Sequence, residues 1–137
     1  MLQQDYLLRM FMQLATAMRD SWQRARGDKD PAVAAQMLEE AIEDATEMDG
    51  ALLLRMTPES MAAMLQLSQP DPLLMGYISR TLLLSSEYLK EAGDHSLSEL
   101  RRGQAYAVAR SFDVELSDDR IAPEELERFF ESTQTGL

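Results

Sequence analysis

The stretch from Asp71 to Asp94 constrains the fold more than any other part of the chain. It opens Asp71-Pro72-Leu73-Leu74, with an aspartate to accept from backbone N–H groups that no helical carbonyl reaches. The proline takes the first helical position, where a missing donor costs nothing. Gly93 ends the stretch. Between these marks Leu74, Ile78, Leu82, Leu89 and Ala92 keep helical spacing, and Leu73, Tyr77, Leu83 and Leu84 carry the apolar character round most of the circumference. A helix that is apolar nearly all round has to be surrounded by other helices. Residues 72 to 93 therefore predict the central helix of a small all-α domain.

Five main helices plus a short one are expected in a single domain over residues 1–137, with fraying from about Ser132. A chain of 137 residues buries roughly two-thirds of its unfolded surface and needs no covalent staple. It has no cysteine, which excludes disulfides, thiolate nucleophiles and thiolate-held metals and fits a cytoplasmic location. Met1-Leu2-Gln3-Gln4-Asp5 lacks the basic start of a signal peptide, and no run nears the ~18 apolar residues of a membrane span. The net charge of −11 is unevenly placed: residues 1–29 carry +2, 30–49 carry −7, 50–112 balance, and 113–137 carry −6. Such a surface repels phosphate backbones and anionic lipid, so neither nucleic acid nor membrane is an expected partner. Cationic partners stay open beside the simpler role of keeping the chain in solution.

Asp5 to Arg26 is an amphipathic helix with a stripe of Leu7, Met10, Phe11, Leu14, Met18 and Trp22, flanked by Leu8, Met12 and Ala15. Arg24 and Arg26 suit its carbonyl end, and Gly27 is expected to stop it. Asp30-Pro31 starts a second helix to about Met48, with Val33, Ala34, Met37, Leu38, Ala41, Ile42 and Ala45 on one side. Glu39, Glu40, Glu43, Asp44 and Glu47 lie opposite, and their i,i+4 repulsion calls for cations nearby, with Arg19 and Arg24 available. A short helical turn over Ala51 to Met56 follows. Thr57-Pro58-Glu59 then caps a short helix ending near Ser68. Ser96 and Glu99 match a capping box for a helix to about Phe112, in which Gly103 and Ala105 permit close approach of a neighbour. Pro123 opens a terminal helix with an Ile121 to Leu126 staple, and Phe129 and Phe130 are expected over the end of the core.

Met56, Met61 and Met64, with Met75 close by in sequence, form a methionine-rich segment. Flexible, polarizable side chains of this kind fill irregular cores or form adaptable grooves for a partner. As a partner surface, they would lie where the short helix runs beside the start of the central helix. Arg102, Tyr106 and Arg110 recur every four residues on one helix face, with Arg101 adjacent. Their guanidinium forks could seat a carboxylate or phosphate, or pair internally with the acidic second helix or the acidic C-terminal segment.

No catalytic, cofactor or metal constellation emerges. His95, the only histidine, sits at a turn and cannot supply the two Glu-x-x-His pairs of a di-iron bundle. Phosphate-binding and dinucleotide glycine patterns are lacking. Asp113, Glu115, Asp118 and Asp119 lack the glycine and terminal glutamate of a calcium loop and read as a solvated linker.

Two turns carry a resemblance. Trp22-Gln23-Arg24-Ala25-Arg26-Gly27-Asp28 and Tyr88-Leu89-Lys90-Glu91-Ala92-Gly93-Asp94 each set an aromatic residue five positions before Gly-Asp and are followed by another amphipathic helix. This resembles the turn within the helical hairpin of a tetratricopeptide repeat. Leu82, Ser86, Leu89 and Ala105 fall at that family's large, small, large and small packing positions, and Glu40-Ala41 through Asp49 resembles the end of its second helix. Ser98 and Arg110 stand where the repeat usually has Ala and Pro, and the copies lie 66 residues apart. The chain, especially Asp5-Tyr6-Leu7-Leu8-Arg9 and its Glu-Ala-Gly-Asp turn, also resembles an uncharacterised bacterial family of small all-helical proteins. The resemblance to tetratricopeptide repeats implies hairpins stacked into a non-enzymatic module that binds a protein or peptide, and an apolar edge at the methionine-rich segment could equally meet a second copy of the chain. The alternative is an enzymatic or small-ligand-binding helical domain using the Arg102, Tyr106 and Arg110 face.

Overall fold

The computed structural model describes residues 2–46, 50–117, 124, 125, 127, 128 and 131. Six helices run in order: α1 (Leu2–Arg26), α2 (Pro31–Thr46), the single turn α3 (Gly50–Leu53), α4 (Pro58–Leu67), α5 (Pro72–Glu91) and α6 (His95–Ser111). No strand occurs among the described residues. Met48, Asp118, Asp119, Ile121, Pro123, Leu126, Phe129, Phe130 and the tail from Ser132 lie outside them. No helix is long and apolar enough to cross a membrane.

Short-range chemistry sets most helix ends. Asp71 accepts from Leu73 N at 2.8 Å with Pro72 as the first residue of α5, and Thr57 accepts from Ser60 N at 3.2 Å with Pro58 opening α4. At the other end of α5, Gly93 adopts φ +90°, the left-handed backbone that glycine reaches without strain. Asp94 N then donates to Leu89 O at 2.9 Å and Gly93 N to Lys90 O at 3.1 Å, closing the last turn. The turn after α1 is built differently. Lys29, at φ 54°, takes the left-handed conformation in place of Gly27, and Asp28 N and Asp30 N satisfy Gln23 O and Arg24 O. At α6 the cap is Asp94, accepting from Leu97 N at 3.2 Å, two residues earlier than the expected Ser96 box.

α5 is the centre. Every residue from Leu74 to Ser86 is buried, as its unbroken apolar circumference requires. α1 and α2 pair as an antiparallel hairpin, α5 and α6 as another, and both helices of the first pack on α5. Phe11 of α1 stacks on Tyr77 with centroids 4.8 Å apart, and Leu14, Leu38, Ile42, Leu82 and Val108 are fully enclosed. Tyr88 and Ser21 meet at 3.0 Å. Since Ser21 spends its proton on Met18 O at 2.8 Å, the tyrosine hydroxyl donates and the serine accepts.

The polar side of α5 is buried as well. Phe112 to Glu115 line a shallow hollow with Pro72, Gly76 and Arg80, and Asp113 and Glu115, the described acidic residues of the expected linker, are exposed. α4 rests on α6, not beside the start of α5: Gly103 leaves room for Pro58, whose Cγ would stand 2.9 Å from a β-carbon there.

Candidate binding groove

An open groove of about 810 Å³ lies between α1 and α2. Leu8, Met12, Ala17, Met37 and Ala41 give it an apolar floor, and Arg9, Gln13, Thr16, Asp20, Glu40 and Asp44 give it a polar rim. The residues these helices turn inward, Phe11, Leu14, Met18, Leu38 and Ile42, are not among its walls, so it lies on the outer face of the hairpin. Two alanines, Ala17 and Ala41, keep part of the floor low. Met12, 48% exposed, leaves a large apolar side chain facing solvent. Asp20, Glu40 and Asp44 form no ion pair with a described residue. The cations expected beside α2 are engaged elsewhere: Arg19 pairs with Glu127, and Arg24 with Asp28 at 3.6 Å.

The four methionines do not form one surface. Met61 and Met75 are core residues, each 1% exposed, and Met56 is half-buried against the core. Each is therefore unavailable or largely so to a partner. Met64 alone is exposed, near the exposed Leu67.

The arginine face is divided as well. Arg101 is buried and donates to Leu54 O at 2.6 Å and to Glu39 Oε1 at 3.1 Å. Gln104 adds bonds from Nε2 to Leu54 O at 3.0 Å and Met56 O at 2.9 Å. Together they clamp the chain after α3, whose carbonyls have no helical donor. Internal pairing with the acidic second helix is thus what Arg101 does. Arg102 lies over the Tyr106 ring at 5.2 Å, and Arg110 lines a separate shallow hollow with Glu59 and Gln66. An incoming anion would have to break the clamp to meet Arg101.

Shifted titrations occur outside the groove. The Glu127 carboxylate, hydrogen-bonded to Arg19, raises that guanidinium's pKa, and Glu91 does the same for Arg26 at 2.5 Å. Burial pushes Tyr88 up to about 12. His95 is exposed at the first residue of α6. No group of three metal-ligating side chains gathers among the described residues.

Comparison of the chain with family models, curated proteins and solved structures finds no match. The groove itself escapes a periodicity count, because Leu8 and Met12 look like the margin of the core stripe and Met37 and Ala41 like its continuation. The available signal was excess: α1 carries more apolar circumference than one buried side uses.

Proposed function

We propose that the chain is a cytoplasmic, non-enzymatic helical module that binds a protein or peptide. Its two tetratricopeptide-like hairpins are α1 with α2 and α5 with α6, and α3 and α4 form an excursion between them. The small all-helical bacterial proteins it resembles are proposed as its kin. Burial of Leu82, Ser86, Leu89 and Ala105, the four positions shared with the repeat pattern, supports the hairpin assignment.

The open α1/α2 groove carries the functional reading. It is broad, apolar at its floor and polar at its rim, which is how surfaces that receive another chain are composed. Its shape is that of a docking face, since it does not enclose a ligand as a small-molecule cavity does. Stacked hairpins bury one face against the next pair, and the first hairpin here leaves its outer face without a neighbour among the described residues.

The test is site-directed photo-cross-linking in the cells that make the protein. A benzophenone side chain replacing Met12 or Gln13 should yield a discrete adduct with another protein, and the same probe at Lys90 should not. Equal adduct patterns from all three positions would refute the docking assignment.

A further inference from the structure

We infer that the occupant of the α1/α2 groove is a cationic amphipathic helix of about three turns, an inference that rests on the docking assignment above. The first ground is size. α1 walls the groove from Leu8 to Asp20, which at the helical rise is about 18 Å, the length of a three-turn segment. A furrow between two packed helices also matches the ridge of a third helix laid along it. Ala17 and Ala41 leave the depth for its larger side chains, and Met12 and Met37 can adjust to their shape.

Charge selects the sign of the partner. One cation, Arg9, faces three carboxylates, Asp20, Glu40 and Asp44. The hairpin is antiparallel, so counting from its turn puts Asp20 level with Met37, Asp44 level with Gln13, and Arg9 a further turn out. The charged residues that line the end nearest the turn, Asp20 and Glu40, are therefore both acidic. A helix lying there meets it best with lysines or arginines on its flanks and with its positive N-terminal end over Asp20 and Glu40. A second copy of this chain would bring three more carboxylates to the same place. Charge complementarity thus favours a foreign cationic helix over self-association.

Three synthetic peptides of about 14 residues, each with capped termini, decide it. One has a leucine and alanine face with lysines on the other side; the second has glutamate for each lysine; the third scrambles the first so that leucines surround the helix. Each is titrated into the full isotopically labelled chain, and amide resonances report where it binds. The lysine peptide should perturb Met12, Thr16, Ala17, Glu40 and Ala41 and bind about tenfold more tightly than the glutamate peptide. Combined Asp20→Asn, Glu40→Gln and Asp44→Asn, all at exposed positions, should weaken it about tenfold and flatten its salt dependence. Ala41→Trp should abolish binding by filling the floor.

Equal binding of the lysine and glutamate peptides in the groove would overturn the cationic assignment and leave docking intact. Perturbations away from the groove, or equal binding of the scrambled peptide, would mean diffuse attraction to an acidic chain and would also overturn it. Binding of no peptide would remove both this inference and the docking assignment. In that case, a sedimentation mass that falls on Ala41→Trp would make the groove an interface between copies.

Discussion

Arg101→Met tests whether the arginine face of α6 is a structural clamp or a seat for a ligand. Methionine keeps most of the apolar stem and removes the guanidinium, so the loss reports the polar contacts. Leu54 O keeps one donor, Gln104 Nε2 at 3.0 Å, while Glu39 loses its partner with its side chain only 23% exposed. Breaking a buried pair from one side costs about 3 to 5 kcal/mol. Because Glu39 retains some water and Leu54 O stays bonded, about 2 to 4 kcal/mol is expected here. Urea unfolding followed by circular dichroism measures it. Adding Glu39→Leu should recover part of the loss, since the orphaned carboxylate goes with it, giving a coupling of about 1 to 3 kcal/mol. A loss below about 0.5 kcal/mol with no coupling would refute the clamp and return Arg101 to the list of groups free to meet an anion.

Leu82→Ala in the enclosed central helix should cost about 3 to 5 kcal/mol in the same assay, because helices on several sides prevent collapse into the void. Met61→Gln buries an amide at a site 1% exposed and should cost about 2 to 4 kcal/mol, whereas Met64→Gln, 39% exposed, should stay within about 0.5 kcal/mol. Tyr88 holds its proton to about 12 in the fold against 10.0 when unfolded, so its contribution is full below pH 10 and is lost as pH rises through that window. The total is about 2 to 3 kcal/mol, and alkaline unfolding of Tyr88→Phe should lack that component of the pH slope.

Helix boundaries were legible where a cap and a proline are adjacent in sequence. Asp71-Pro72 and Thr57-Pro58 act within three residues, so no tertiary information is needed to read them. Gly93 was legible for the same reason. Gly27 follows the last residue of α1 as expected, but the left-handed residue of that turn is Lys29, and only the path from α1 into α2 decides which position takes the strain. Partner choice between helices was not legible. α4 settles on α6 through the gap at Gly103, a contact 45 residues away in sequence that no local pattern encodes. The apolar run of α5 predicts burial on most sides, and the polar Ser79, Arg80 and Ser85 are buried with it. Arg101 could be read two ways because it adjoins the Arg102, Tyr106 and Arg110 series, and the fold alone brings Glu39 and Leu54 O to it.

Because the chain has no cysteine, a single introduced thiol reports directly on whether the groove is open in the free protein and covered in the cell. Met12→Cys in the purified chain should react with a maleimide nearly as fast as an unfolded control, while Ser21→Cys, at a fully buried position, should react orders of magnitude more slowly. In cells treated with a membrane-permeable maleimide, Met12→Cys should become protected while a thiol at the exposed Lys90 does not. Met12→Cys labelling as fast in cells as in the purified chain would contradict a docked partner.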